Sequence, residues 1–396
     1  MRPAQRGQPR VAIFRSRFLP PSETFVRDQL ERYRDVDALA LADAVVPDGL
    51  RLVDRPVHLV DGAGLADRAR SAALRLRGAS ERTKRDQRVA RRLHRLDVDV
   101  LHAHFGPDAA SVRGGAVQAG VPLVATFHGF DATVDFAHFV SAGGSQAQMV
   151  EDWSLLTQDV SAFVAVSSHI KDSLVARGVP EQRISVVPCG IDVASFDPTP
   201  VPDHGGLLFV GRLVEKKGLA DLLQALSTIG EPPPLTVIGD GPLREDLEQL
   251  ARELGVSVSF VGTAGTSVVK EAIKAARLVV MPSRTAASGD SEGLPVVALE
   301  AQASGRPVLA YAHSGLRDAV LDGRTGILVP EADVGELGRA LTSMLGDSEK
   351  LAEMGRAARE RVAERFDIST TIADLEHIYR EVAAPSGPRS TGSSAE

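Results

Sequence analysis

With 396 residues the chain is too long for one ordinary domain and fits two of similar size, and 43% apolar with only 4% aromatic residues implies cores built mainly from Val, Leu and Ala. The 45 Lys and Arg against 52 Asp and Glu give a net charge of −7, which argues against general affinity for nucleic acid, and the one cysteine, Cys189, excludes an intramolecular disulfide and a cysteine-built zinc cage. No run of about 18 uncharged apolar residues exists, and the start MRPAQRGQPR leads into a short strand-like VAIF, so a cytoplasmic protein is expected.

Residues 11–14 (VAIF), 98–104 (VDVLHAH), 122–127 (PLVATF) and 162–166 (AFVAV) are short apolar runs separated by longer stretches of helical spacing, which predicts alternating β and α. Between Arg68 and Arg95, eleven basic residues stand against Glu81 and Asp86, with Leu74, Leu76, Val89, Leu93 and Leu96 interleaved. This is either the solvated face of a core-packed helix or a basic amphipathic surface for an anionic membrane or acceptor. The run ATFHGFDAT, residues 125–133, sets His128 and Asp131 directly after a strand end. A histidine beside a carboxylate there suits the handling of a hydroxyl proton.

The stretch SFDPTPVPDHGG, residues 195–206, reads as a linker, and the alternation then restarts at 207–210, 235–238, 257–261, 278–281, 307–311 and 327–329. The expected organisation is a first domain over 1–199, a second over 200–369, a final helix over about 370–384 joined to the first domain, and a disordered tail at 385–396; roughly the first nine residues are expected to be disordered too. Two doubly wound sheets facing a central cleft would hold ligands beyond the carboxyl ends of their strands.

Two motifs in the second half sit at such strand ends. After LLFV comes GRLVEKKG, in which Gly211 permits close backbone approach while Arg212 and Lys217 offer cations to an anion near a helix start. After LVVM comes SGDSEGLPVVALEAQASGRPV, with Glu292, Gly293, Leu294 and Pro295 before a helix carrying Glu300. Pro295 fits the first helical position, leaving the amides of Gly293 and Leu294 to face an anion, while Glu292 and Glu300 suit sugar hydroxyls.

The loop GRLVEKKG, the E-x7-E element from Glu292 to Glu300 and the run ASGRPVLAYAHSGLRDAV resemble the retaining glycosyltransferases of family 4, with the GT-B architecture of two Rossmann-like domains. Pro-Ser-Glu-Thr-Phe at 21–25 with HAHFG at 102–106 is similar to the branch that builds bacterial exopolysaccharides. The resemblance implies that Arg212 and Lys217 bind the donor diphosphate, Glu300 holds the ribose, Glu292 touches the transferred sugar, and Gly293 and Leu294 offer amides to phosphate. It further implies that 237–242 and 260–263, with Gly239, Gly262 and Thr263, flank the base, and that His128 lies near sugar and acceptor. Many members carry a glycine pair after the first strand. Here Ser22 stands at the helix start instead, with the amides of Glu23 and Thr24 aimed at an anion.

Asp97-Val98-Asp99 spells the D-x-D metal element of a different glycosyltransferase fold but enters an apolar strand, and His102 with His104 lacks obvious further ligands, so no metal is expected. The implied function is a metal-independent, retaining transfer of a hexosyl group from a nucleoside diphosphate sugar, UDP- or GDP-linked, to a hydroxyl of a glycan, lipid-linked or small-molecule acceptor. No cofactor and no nucleic acid partner is expected, and peripheral membrane contact would run through 68–95. The alternatives are a sugar-nucleotide epimerase or phosphorylase on the same fold, and a non-catalytic nucleotide-sugar-binding subunit.

Overall fold

The computed structural model describes residues 7–20, 23–53, 55–61 and 80–384. Ser22, the 68–79 part of the basic stretch and the tail 385–396 lie outside the described residues. The chain divides into two compact units, Met1–Thr126 with Glu151–Phe163 and Ile372–Glu396, and Phe127–Val150 with Val164–Thr371. Both sheets pair in parallel, so the fold is α/β of the doubly wound kind.

The first sheet contains β1 (Arg10–Phe18), β2 (Asp37–Val45), β3 (Val57–Leu59), β4 (Val100–His104), β5 (Leu123–Phe127), β6 (Val160–Ala165) and β7 (Ile184–Val186), in the order β3-β2-β1-β4-β5-β6-β7. Strands β4 and β5 are buried along their whole length, the two histidines of β4 included, as expected of strands inside a parallel sheet. β2 has the sequence DALALADAV, whose Ala and Asp are poor strand formers, and it forms by pairing with β1 along nearly its full length. β4 begins at Val100 rather than at Val98, because Asp97 turns the chain at φ +53° and the Asp99 carboxylate accepts the Arg10 amide at 2.8 Å. The D-x-D thus ties a strand entrance together.

In the same unit the helix Glu81–Arg95 buries Val89, Ala90 and Leu93. Its cations are drawn into ion pairs: Arg82 with Asp152, Arg85 with Asp43 and Arg88 with Asp61. His102 lies between the Tyr379 hydroxyl and Thr126 Oγ1, each at 2.6 Å, and burial pushes its pKa down to about 3. Tyr379 belongs to the helix Ile368–Ala383, whose Glu376 carboxylate also accepts the amides of Arg34 and Asp35. No described helix is long and apolar enough to cross a membrane.

The second sheet contains β8 (Leu207–Val210), β9 (Leu235–Ile238), β10 (Val258–Gly262), β11 (Leu278–Met281), β12 (Val308–Tyr311) and β13 (Gly326–Val329), in the order β10-β9-β8-β11-β12-β13. Leu207, Phe209, Val237, Val280 and Leu309 form its core with Leu222, Leu226 and Leu341 from the covering helices. The strand order reverses between β8 and β11, and the loops that leave these two strands flank a crevice by construction.

Candidate active site

The loops after β8, β9 and β10 nest through glycines. Gly239 adopts φ +141° and lies so close to the Gly211 carbonyl that a Cβ would collide with it; its amide donates to the Gly262 carbonyl at 2.8 Å. Thr263 beyond β10 is exposed, and Arg212 beyond β8 is exposed.

Lys217 closes a short turn, Glu215–Lys217, that ends on Gly218 in the left-handed region. A side chain at Gly218 would strike the Pro282 carbonyl, so the glycine docks the β8 loop onto the β11 loop. From there Lys217 Nζ reaches Glu292 Oε1 at 2.7 Å, and Ser283 Oγ donates to the same oxygen at 3.3 Å. Glu292 is 7% exposed. Burial alone would raise its pKa, but Lys217, Lys216 and the two hydrogen bonds prevail and hold it below the ordinary carboxylate range. Lys216 is itself paired with Asp290 at 3.0 Å. The loop therefore carries buried, compensated charge at the switch point.

The helix after this loop spans Val296–Ala303, with Pro295 as its cap at φ −70° and ψ 106°. The sequence predicts Pro295 as the first helical residue; its extended ψ keeps it just outside the helix. Leu294 is buried beside Glu292, and Glu300 is half-buried on the helix.

His128 follows β5 at once. Its amide and that of Gly129 both donate to Asp131 Oδ1, at 3.0 and 2.9 Å, and Asp131 is fully buried. The His128 carbonyl packs on Gly293, where a Cβ would collide with it, and the Gly293 carbonyl packs in the same way on Gly315. The Ser291 amide donates to Thr133 Oγ1 at 3.2 Å, which ties the same two segments again. His128, Asp131, Lys217, Glu292 and Gly293 therefore belong to one arrangement within the second unit. Glu23 and Thr24 belong to the first unit, where Arg15 grips the Glu23 carboxylate through two hydrogen bonds at 2.8 and 2.5 Å and the Glu23 amide donates to the Pro20 carbonyl.

Two histidines beside Glu292 escaped the sequence reading. His169 Nε2 bonds Ser291 Oγ at 2.9 Å, and its ring centroid lies 6.1 Å from that of His313, whose Nδ1 meets Glu331 Oε2 at 3.1 Å. Burial lowers the pKa of His313 more than Glu331 raises it. His313 follows β12 in a loop of small residues, the same strand-end signal that singled out His128. His169 lies in the helix Ser168–Ala176 with no motif around it.

Residues 54–195 match Glycosyltransferase Family 4, and residues 195–361 match Glycosyl transferases group 1. Over 281 residues the chain is 31% identical to WcaL of Escherichia coli (strain K12), a protein named for colanic acid biosynthesis, a match covering 68% of this chain and 67% of that one. The chain is a member of this glycosyltransferase family. The transferase is also 31% identical over 311 residues to the GDP-mannose-dependent alpha-(1-6)-phosphatidylinositol monomannoside mannosyltransferase of Mycolicibacterium smegmatis, covering 72% of this chain and 78% of the relative. Its fold matches Anabaena Alr3699/HepE with a TM-score of 0.75 at 20% identity, over 94% of this chain and 100% of the other. The transferase is thus a GT-B protein of two Rossmann-like domains.

Proposed function

We propose that the transferase moves a sugar from a nucleoside diphosphate donor, UDP- or GDP-linked, to an acceptor hydroxyl in the building of a bacterial glycan or glycosylated metabolite, with retention at the anomeric carbon and without a metal ion. The observation that carries the donor half is the ion pair between half-buried Lys217 and buried Glu292 at the β8/β11 switch point, Lys217 sharing its loop with the exposed Arg212. A diphosphate needs cations there, and a transferred sugar needs a carboxylate for its hydroxyls. One relative is named as GDP-mannose-dependent, and HepE is described in complex with UDP, which supports this donor class.

In this reading Arg212, Lys217 and the amides of Gly293 and Leu294 stabilise the charge that builds on the departing diphosphate, and each ~1.4 kcal/mol gained in the transition state speeds transfer tenfold. Glu300 holds the ribose, Gly239, Gly262 and Thr263 border the base, and His128 with Asp131 serves the sugar and acceptor. Thermal shift against UDP, GDP, ADP, dTDP and their sugar conjugates tests the donor site. One nucleotide should raise the midpoint, and Glu300→Ala or Lys217→Ala should remove that rise. Chelator should leave turnover unchanged. Donor binding without transfer to any hydroxyl acceptor would overturn the reading.

A further inference from the structure

Cys189 is 4% exposed and sits just past β7, its Sγ 3.8 Å from Nδ1 of His128. The two meet because the ends of β5, β6 and β7 lie side by side: the Val166 amide donates to the Phe127 carbonyl and the Val187 amide to the Ala165 carbonyl. Neither backbone has room to drift. The cysteine segment is pinned at Ile191, whose amide donates to the Phe366 carbonyl at 2.9 Å and whose carbonyl accepts the Ile368 amide at 2.9 Å. A side chain at Gly190 would collide with the Thr371 hydroxyl. The histidine backbone is held by the Asp131 carboxylate and by its packing on Gly293. The contact between sulfur and imidazole is therefore set by the fold.

Burial pushes the thiol up to about 12, so at neutral pH the sulfur carries its proton. A thiol is a weak donor and a weak acceptor, while the free lone pair of a neutral imidazole is a good acceptor. The better of the two pairings is S–H donating to Nδ1. It obliges the neutral ring to keep its proton on the other nitrogen.

We propose that Cys189 is a positioning residue that holds neutral His128 as the Nε2–H tautomer. Resting on the function proposed above, this makes His128 a hydrogen-bond donor to an oxygen of the donor sugar or its diphosphate. It leaves the acceptor proton to be taken elsewhere. Cys189 itself never touches substrate.

Histidine-labelled protein read by long-range ¹H–¹⁵N NMR at neutral pH tests this without any ligand, His128 being assigned from the peak missing in His128→Ala. Wild type should show Nε2–H; a dominant Nδ1–H form would overturn the proposal. Cys189→Ala and the larger, apolar Cys189→Val should both give a mixture of tautomers, and an unchanged tautomer in either would overturn it. Using the donor found by thermal shift, Cys189→Ala should lower kcat about five- to tenfold with little change in the donor KM, the scale of one weak hydrogen bond. In the His128→Ala background the same change should be silent. An equal loss there would show that the cysteine acts by another route and overturn the proposal. If His128→Ala leaves turnover intact, the catalytic use of His128 falls, and the wild-type tautomer still decides the role of Cys189.

Discussion

Removing the ammonium group with Lys217→Met isolates the energetics of the switch-point pair. At 2.7 Å and an effective dielectric near 20, the attraction between Lys217 and Glu292 is about 6 kcal/mol, but desolvation of both ions offsets much of it. Breaking a fully buried pair from one side costs about 3–5 kcal/mol, because a charge remains without its partner, and here Glu292 is buried while Lys217 is half-buried. Here Lys216 and Ser283 still face Glu292, so the lower end, about 3 kcal/mol, is expected. For a unit of this size that lowers the midpoint of thermal unfolding by about 6–12 °C. Glu292→Gln added to Lys217→Met removes the stranded charge and should recover about 2 kcal/mol.

The sign with pH separates this account from a packing defect. In the wild type the Glu292 pKa is depressed, so its contribution is complete at neutral pH and is lost as pH falls through the carboxylate range. Without Lys217, burial dominates and the pKa moves above that range. The ionised carboxylate then destabilises the variant at pH 7, and acid relieves it. Calorimetry of both proteins at pH 7 and pH 4.5 should therefore show the gap narrowing by at least about 1 kcal/mol. A loss below about 1 kcal/mol at pH 7, or a gap that does not change with pH, would refute the reasoning.

Gly293→Ala must displace the His128 carbonyl and is expected to cost about 3 kcal/mol or more and to abolish activity, whereas Gly230→Ala, with open space at its Cβ, should leave the melting temperature within about 1 °C. Asp131→Ala strips the buried cap from the amides of His128 and Gly129, and chemical denaturation should register about 2–3 kcal/mol, while Asp131→Asn keeps one acceptor oxygen and loses less than half of that. His102 loses no stability above pH 6.5; below it, down to about pH 3, the unfolded chain binds a proton that the buried ring refuses. Circular dichroism at stepped pH should show a slope of up to about 1.4 kcal/mol per pH unit that His102→Gln flattens.

Much of this was legible because strand ends in parallel sheets announce themselves. An apolar run of four or five residues with Gly or Ser within the next two positions located the Lys217, Glu292 and His128 loops without any contact being known. Partners were harder to read. Nothing local says that Asp43, Asp61 and Asp152 neutralise the arginines of the helix Glu81–Arg95, since each lies in another element and meets its cation only in the folded unit. β2 was missed for the opposite reason: its Ala-rich sequence has no strand preference, and a full-length partner supplies the order. His313 carried a readable signal that was passed over. Cys189 carried none, because its importance lies in which strand end is its neighbour.

The glycines explain how the second unit brings so much polar chemistry together. His128, Gly293 and Gly315 stack carbonyl on backbone, and Gly239 on Gly211 and Gly218 on Pro282 dock in the same way, so the loops after β5, β8, β9, β11 and β12 approach at distances no side chain would allow. That closeness buries Glu292, and burial makes its charge tolerable only while Lys217 stays in reach. Under the proposed function the same cation is wanted by the donor diphosphate. Binding would then draw Lys217 toward the diphosphate, with Glu292 turned toward the sugar hydroxyls. A transferase built this way has its cation and its carboxylate aligned before the donor arrives, and removing either one disables both.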